Sequence, residues 1–264
     1  MRSLVTAVSL VLCAAFLPAH AAMQSQPVEW KIGKDSFTGV LVFDDANAIK
    51  RPGLVMVPDW KGVTPASIER AKQFAGNDYV VLVADLYGTK VRPKDDKEAG
   101  QVAGPLRADR PVLRARMEKA VAVLKEQAGK APLDPAKVGA FGFCFGGTSA
   151  LELVRGGSEV AGVVSFHGGL KTDLPAKEDS ARTPALVLNG ADDRGISDED
   201  MARFVEEMDA AGADWQFVNF SGAVHCFAVP EANNPPGCVY DPRTAKRAER
   251  MMRDFFQERF AATK

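Results

Sequence analysis

The chain has 264 residues, a formal net charge of -1 and 46% hydrophobic residues. That is enough apolar chain for one large α/β domain with a sizeable core. The near-neutral balance, with both signs interspersed, gives no electrostatic reason to expect nucleic acid or an anionic membrane as partner.

The N-terminus reads as a leader rather than as part of the fold. Arg2 supplies a positive start, Leu4 to Leu17 is an apolar run too short to span a bilayer, and Pro18 breaks it. Ala19-His20-Ala21 then matches a small-x-small cleavage site. Residues 1–21 are expected to be a secretory signal peptide, and residues 22–264 a single exported domain, periplasmic or secreted. A buried first helix is the alternative. Cys13 follows Leu12 with no small-residue cleavage site before it, so no lipid anchor is expected.

Val28 to Ile32 and Thr38 to Phe43 read as an opening pair of strands. Gly53 to Val57 is a continuous apolar run, hence a buried strand, ending at Pro58-Asp59-Trp60-Lys61-Gly62. Thr64 and Pro65 open a helix through about Ala75, as N-cap and first helical residue. Tyr79 to Ala84 is a further buried strand, giving way to Asp85-Leu86-Tyr87-Gly88. Thr89 to Gly104 reads as a charged, solvated loop, with shielding or bordering a site as the alternative. A long helix from about Arg110 to Gln127 places Leu113, Met117, Val121 and Leu124 on one face. Lys137 to Phe141 is a strand and Thr148 to Val154 a helix; strands follow at Ala161–Phe166, Ala185–Leu188 and Trp215–Phe220. Helices are expected at Asp198–Ala211 and from Thr244 onward, the last with Ala248, Met252 and Phe255 inward. Strands alternating with helices predict a mostly parallel central sheet with helices on both faces. No repeat or linker divides the chain.

The chemistry centres on Gly142-Phe143-Cys144-Phe145-Gly146-Gly147, between a strand and a helix. This is the nucleophile-elbow spelling with cysteine in place of serine. Gly142 and Gly146 permit a sharp turn and close packing. Cys144 then stands at a helix N-terminus, where the dipole and unpaired N–H groups favour a thiolate. A buried structural cysteine is the alternative. A nucleophilic sulfur needs a base, and the base an orienting acid. Outside the leader the histidines are His167 and His225, each just past a strand. Leu188-Asn189-Gly190-Ala191-Asp192-Asp193 runs from a strand into an acidic turn. The chain order nucleophile, acid, histidine selects Cys144, Asp193 and His225, with Asp192 the neighbouring alternative acid. The oxyanion donors are expected to be the N–H groups of Phe145 and Trp60. Cys226 and Cys238 flank a loop rich in Pro, Asn and Gly. They can pair and leave Cys144 free, or remain unpaired, since spacing alone does not fix the geometry.

Gly142–Gly147, Asp85-Leu86-Tyr87, Gly190-Ala191-Asp192-Asp193 and His225-Cys226-Phe227-Ala228 together resemble the dienelactone hydrolase family, the cysteine branch of the α/β-hydrolases. The resemblance covers nearly all of residues 22–264. It implies an α/β-hydrolase fold and opening of a small ester or lactone through a thioester. The triad would be Cys144, His225 and Asp193, with no metal or organic cofactor. Asp59 stands where well-known members carry a glutamate that helps ionise the thiol. Gly88-Thr89-Lys90 and Val229 stand where such members hold a substrate carboxylate with arginine. Tyr87, Lys90 and Arg92, with Arg194, are the candidate substrate contacts. A monomer acting on a small molecule is expected, with no membrane partner after leader removal. The rival readings are a non-catalytic binding protein on the same fold and a redox-active thiol protein.

Overall fold

The structure is a computed structural model that describes residues 23–262. The leader expected at residues 1–21 therefore lies outside the described residues. Ten strands and six helices follow in chain order. They are β1 (Met23–Ile32), β2 (Asp35–Asp44), β3 (Arg51–Val57), α1 (Pro65–Ala75), β4 (Val80–Val83), α2 (Asp96–Ala108), α3 (Arg110–Lys125) and β5 (Leu133–Phe143). Then come α4 (Phe145–Arg155), β6 (Val163–Phe166), β7 (Ala185–Gly190), α5 (Asp198–Ala210), β8 (Trp215–Phe220), β9 (Asn233–Asn234), β10 (Cys238–Val239) and α6 (Pro242–Ala262).

Eight strands form one sheet in the order β1-β2-β4-β3-β5-β6-β7-β8. β2 is antiparallel to both neighbours, and every pairing from β4 across to β8 is parallel. Successive side chains of a strand face opposite ways, which divides the core in two. Val55, Val57, Leu82 and Ala140 meet the apolar faces of α2, α3, α4 and α5. Leu54, Met56, Val83, Phe141 and Phe143 meet α1 and α6 on the other side. This is the α/β-hydrolase architecture. In such open sheets sites form beyond the carboxyl ends of the parallel strands.

α1 begins as its sequence predicts. Thr64 accepts from the Ser67 N–H and Ser67 accepts from the Thr64 N–H, a reciprocal capping box. The stretch Thr89–Gly104 departs from the expected loop, because α2 begins inside it at Asp96. The Asp95 carboxylate caps the new helix by accepting from the Glu98 N–H at 2.8 Å. Gly100, Gly104 and Pro105 are poor helix formers and mask that signal. Tertiary contacts override them, for Ala99, Ala103 and Leu106 are buried and Lys61 pairs with Asp96 at 3.1 Å.

α4 is buried along its whole length. Its carboxylate Glu152 is fully enclosed, and three arginines converge on it: Arg110 at 3.3 Å, Arg114 at 2.8 Å and Arg155 at 3.1 Å. Arg155 continues to Glu207 of α5 at 2.9 Å. The helix that begins at the elbow is thus pinned to both neighbouring helices by hydrogen-bonded charges. Removing one member of such a cluster strands the others in a dry site. Glu152→Ala is expected to destabilise the protein by about 3–5 kcal/mol, because it removes the enclosed carboxylate that three arginines share. Urea denaturation checks this, and a loss below about 1 kcal/mol would show the cluster to be dispensable.

Candidate active site

The elbow forms because three backbones meet where no side chain fits. A Cβ on Gly142 would overlap the backbone of Gly146. A Cβ on Gly146 would overlap the carbonyl oxygens of Val57 and Pro58 at the end of β3. Between them Cys144 is forced to φ 53, a left-handed value that a cysteine rarely adopts. Its N–H donates to the Phe166 carbonyl at 3.0 Å, which ties the elbow to β6.

Cys144 is partly exposed and unpaired. Its Sγ lies 3.0 Å from Nε2 of His225, and Nδ1 of the same ring lies 2.6 Å from Oδ2 of Asp193. The elbow follows β5, Asp193 follows β7 and His225 follows β8, so three strand ends supply the row. Asp193 is buried, and its Oδ1 accepts from the Gly195 N–H at 2.8 Å, which aims the second oxygen at the ring. Asp192, the neighbouring alternative, is exposed, and its backbone N–H is spent on the Ala223 carbonyl.

Charge follows from this row. Burial opposes the His225 cation, but the hydrogen bonds to Asp193 and Cys144 outweigh it and raise the pKa to about 10. Burial likewise opposes the Asp193 anion, yet the His225 hydrogen bond holds its carboxyl below the usual range. The arrangement favours a protonated imidazole beside the sulfur, placed to give a proton there and to take it back.

His167 occupies a different place. It is fully buried at φ 40, its ring centroid 5.0 Å from that of His225 and 5.3 Å from that of Phe227. Neither ring nitrogen has a hydrogen-bond partner. Burial, then the neighbouring His225 and Arg70 charges, hold it well below the ordinary histidine pKa, so it is neutral.

Phe145 is the first residue of α4, where helix geometry leaves the N–H without an intrahelical acceptor. Trp60 lies in the loop after β3, and its carbonyl accepts from the Tyr87 hydroxyl at 2.9 Å, which steadies that loop. Asp59 is occupied locally, its Oδ1 accepting from the Lys61 N–H at 2.9 Å. Tyr87 packs its ring 5.5 Å from that of Phe145. Burial, then the Asp59 charge, raise its hydroxyl pKa, and it stays a neutral donor.

Arg92 departs from the expected substrate role. Its guanidinium donates to the carbonyls of Gly88, Val91 and Thr38, and pairs with buried Asp85 at 3.1 Å. Asp85 also accepts from the N–H groups of Thr38, Tyr87 and Gly88. Arg92 is therefore a brace of the turn that carries Tyr87. Lys90 and Arg194 are exposed. α2, hidden in the expected loop, brings in Arg107, whose guanidinium carbon stands 5.9 Å above the Phe145 ring. The Asp95-x-x-Glu98 cap is the sequence signal that points to it. Cys226 and Cys238 are joined by a disulfide.

The model of the dienelactone hydrolase family matches residues 37–260. A Caenorhabditis elegans protein, K02A2.1, is 33% identical over 156 residues, spanning 56% of this chain and 95% of its own. The solved structure named m3DLH superposes with a TM-score of 0.83 at 33% identity, covering 90% of this chain and 98% of that one. P91, a dienelactone hydrolase-like promiscuous phosphotriesterase from metagenomic libraries, gives the same TM-score of 0.83 at 31% identity, over 90% and 98%. With the family's model spanning most of its length, and the elbow standing at the carboxyl end of the sheet, this chain belongs to the dienelactone hydrolase family.

Proposed function

We propose that the protein hydrolyses a small ester or lactone through a Cys144-His225-Asp193 triad and a thioester. The observation that carries this is the continuous row from sulfur to imidazole to carboxylate, at 3.0 Å and 2.6 Å. The Cys144 sulfur, its proton held on His225, attacks the carbonyl carbon and forms the C–S bond. Negative charge grows on the carbonyl oxygen, and the N–H groups of Phe145 and Trp60 receive it. His225 passes its Nε2 proton to the leaving alkoxide as the C–O bond breaks. The neutral ring then takes a proton from water, and the resulting hydroxide attacks the thioester. The C–S bond breaks, and one ester and one water become one acid and one alcohol. Asp193 orients the ring and stabilises its cation throughout.

The commitment of Arg92 to Asp85 supports a substrate not held by that arginine, and so a broader ester or lactone class. Export is part of the proposal. The leader-like N-terminus and the Cys226–Cys238 disulfide both fit an oxidising compartment. The family membership and the three-residue row favour a hydrolase over a binding protein.

Two outcomes test the reading. Against a panel of activated esters and lactones, Cys144→Ala is expected to lose at least about 10^3-fold in kcat, and equal rates would remove Cys144 from the mechanism. The second concerns pH. Acylation needs the His225 proton, which is lost as pH rises through about 10. The kcat/KM profile is therefore expected to hold through the mildly alkaline range and fall near that value. Asp193→Asn removes a cause of the raised pKa, so the fall is expected to move to lower pH and kcat to drop by about 10^2–10^4-fold. An unmoved alkaline limb would separate Asp193 from the imidazole.

A further inference from the structure

His225 is carried by a segment that is neither helix nor strand, between β8 and the excursion from Phe227 to Gly237. Yet its ring must meet two partners at once. That excursion is poorly suited to hold it. It contains Pro230, Asn233, Asn234, Pro235, Pro236 and Gly237, and its only regular structure is the two-residue pairing of β9 with β10. So short a hairpin has little stability of its own.

The two cysteines sit at the neck of the excursion. Cys226 is the residue after His225, and Cys238 is the residue that His225 itself faces in an isolated β-bridge. The Val239 N–H donates to the His225 carbonyl at 3.1 Å within that bridge. Cys226 is held at φ 63, a left-handed backbone suited to glycine or asparagine. The remaining ties act elsewhere: Glu231 meets Arg70 at 2.9 Å, and the Asp241 N–H meets the Phe227 carbonyl at 3.1 Å. The Val229 N–H also donates to the Cys226 carbonyl at 2.8 Å and Phe227 is buried, but on the peptide between His225 and Cys226 itself the one such bond is that from Val239.

We propose that the Cys226–Cys238 disulfide is a positioning element for His225, and that turnover is conditional on its being oxidised. The inference rests on His225 serving as the base in the proposed hydrolysis. A dithiol reductant delivers two electrons and two protons, the S–S bond breaks, two thiols form, and the reductant leaves as its own disulfide. Cys226 is then free to return to negative φ. The peptide plane after His225 turns with it, and the ring drifts from Sγ and Asp193. Cys144 has no part in the exchange.

The test uses the folded protein in three states: oxidised, reduced with dithiothreitol and desalted without air, and re-oxidised with glutathione disulfide. A Cys226→Ser/Cys238→Ser variant accompanies them. Reduction is expected to lower kcat about 100-fold, as a displacement near 1 Å in a catalytic group does, with KM within about twofold. Re-oxidation restores the enzyme and leaves the double variant impaired. Alkylation of Cys144 by iodoacetamide at pH 6 is expected to slow by about tenfold on reduction, because the imidazole no longer stands beside the sulfur. Full kcat and unchanged alkylation in a folded, reduced protein overturn the proposal, and the reduced wild type decides if the double variant does not fold. Cys144→Ala separates the two readings. If it keeps activity the triad is wrong; if it is dead while the reduced enzyme runs at full rate, only the disulfide inference falls. Should none of the substrates be turned over, the alkylation rate alone decides.

Discussion

The geometry of the proposed active site depends on one close approach. The first turn of α4 rests against the carbonyls that end β3, at a spacing that a single methyl group would destroy. Because Gly146 is bare, the helix begins directly over the sheet, and its first N–H, which like that of any helix has no intrahelical acceptor, stands at this edge. Because Gly142 is bare, the strand can fold back into that helix within one residue. Cys144 is that residue. Successive parallel strands then bring their ends to it: β6 with the Phe166 carbonyl that accepts its N–H, β7 with Asp193, and β8 with His225. Side chains far apart in sequence meet because their strands end together.

The strain of the fold is concentrated at this edge. Among the described residues, four non-glycine positions have positive φ, and three of them are Cys144, His167 and Cys226. His167 adds a second cost, two buried ring nitrogens without hydrogen-bond partners. Such features persist only where the surroundings over-determine them. Here the surroundings are a two-sided apolar core and a charge cluster around Glu152 that leaves α4 no freedom to slide. The neutrality of His167 also matters for electrostatics. A second cation packed against the His225 ring would oppose the charge that Asp193 sustains there.

Much of this was legible in the residues. Unbroken apolar runs such as Leu54–Val57 and Val80–Val83 read as buried strands once their neighbours are helical. Thr64-Pro65 announces α1 by its capping chemistry. The order of Cys144, Asp193 and His225 places three strand ends in one row without any distance being known. Other features were not legible, for physical reasons. α2 is spelled with two glycines and a proline, so local propensity argues against a helix that tertiary burial enforces. Arg92 reads as a free cation in a polar stretch, because nothing local shows that Asp85 is buried beneath it. The pairing of Cys226 with Cys238 depends on how a proline-rich excursion closes, which twelve residues of spacing leave open.

The seating of Gly146 on Val57 and Pro58 has an evolutionary consequence. Gly142 and Gly146 leave no room for an added atom, so the elbow cannot be tuned by exchanging side chains at those two positions. Room for change lies in the surrounding walls: the Tyr87 turn with its Arg92 brace, α2, and the excursion after His225. What the pocket accepts can then change through those walls while the bend that carries Cys144 keeps its shape.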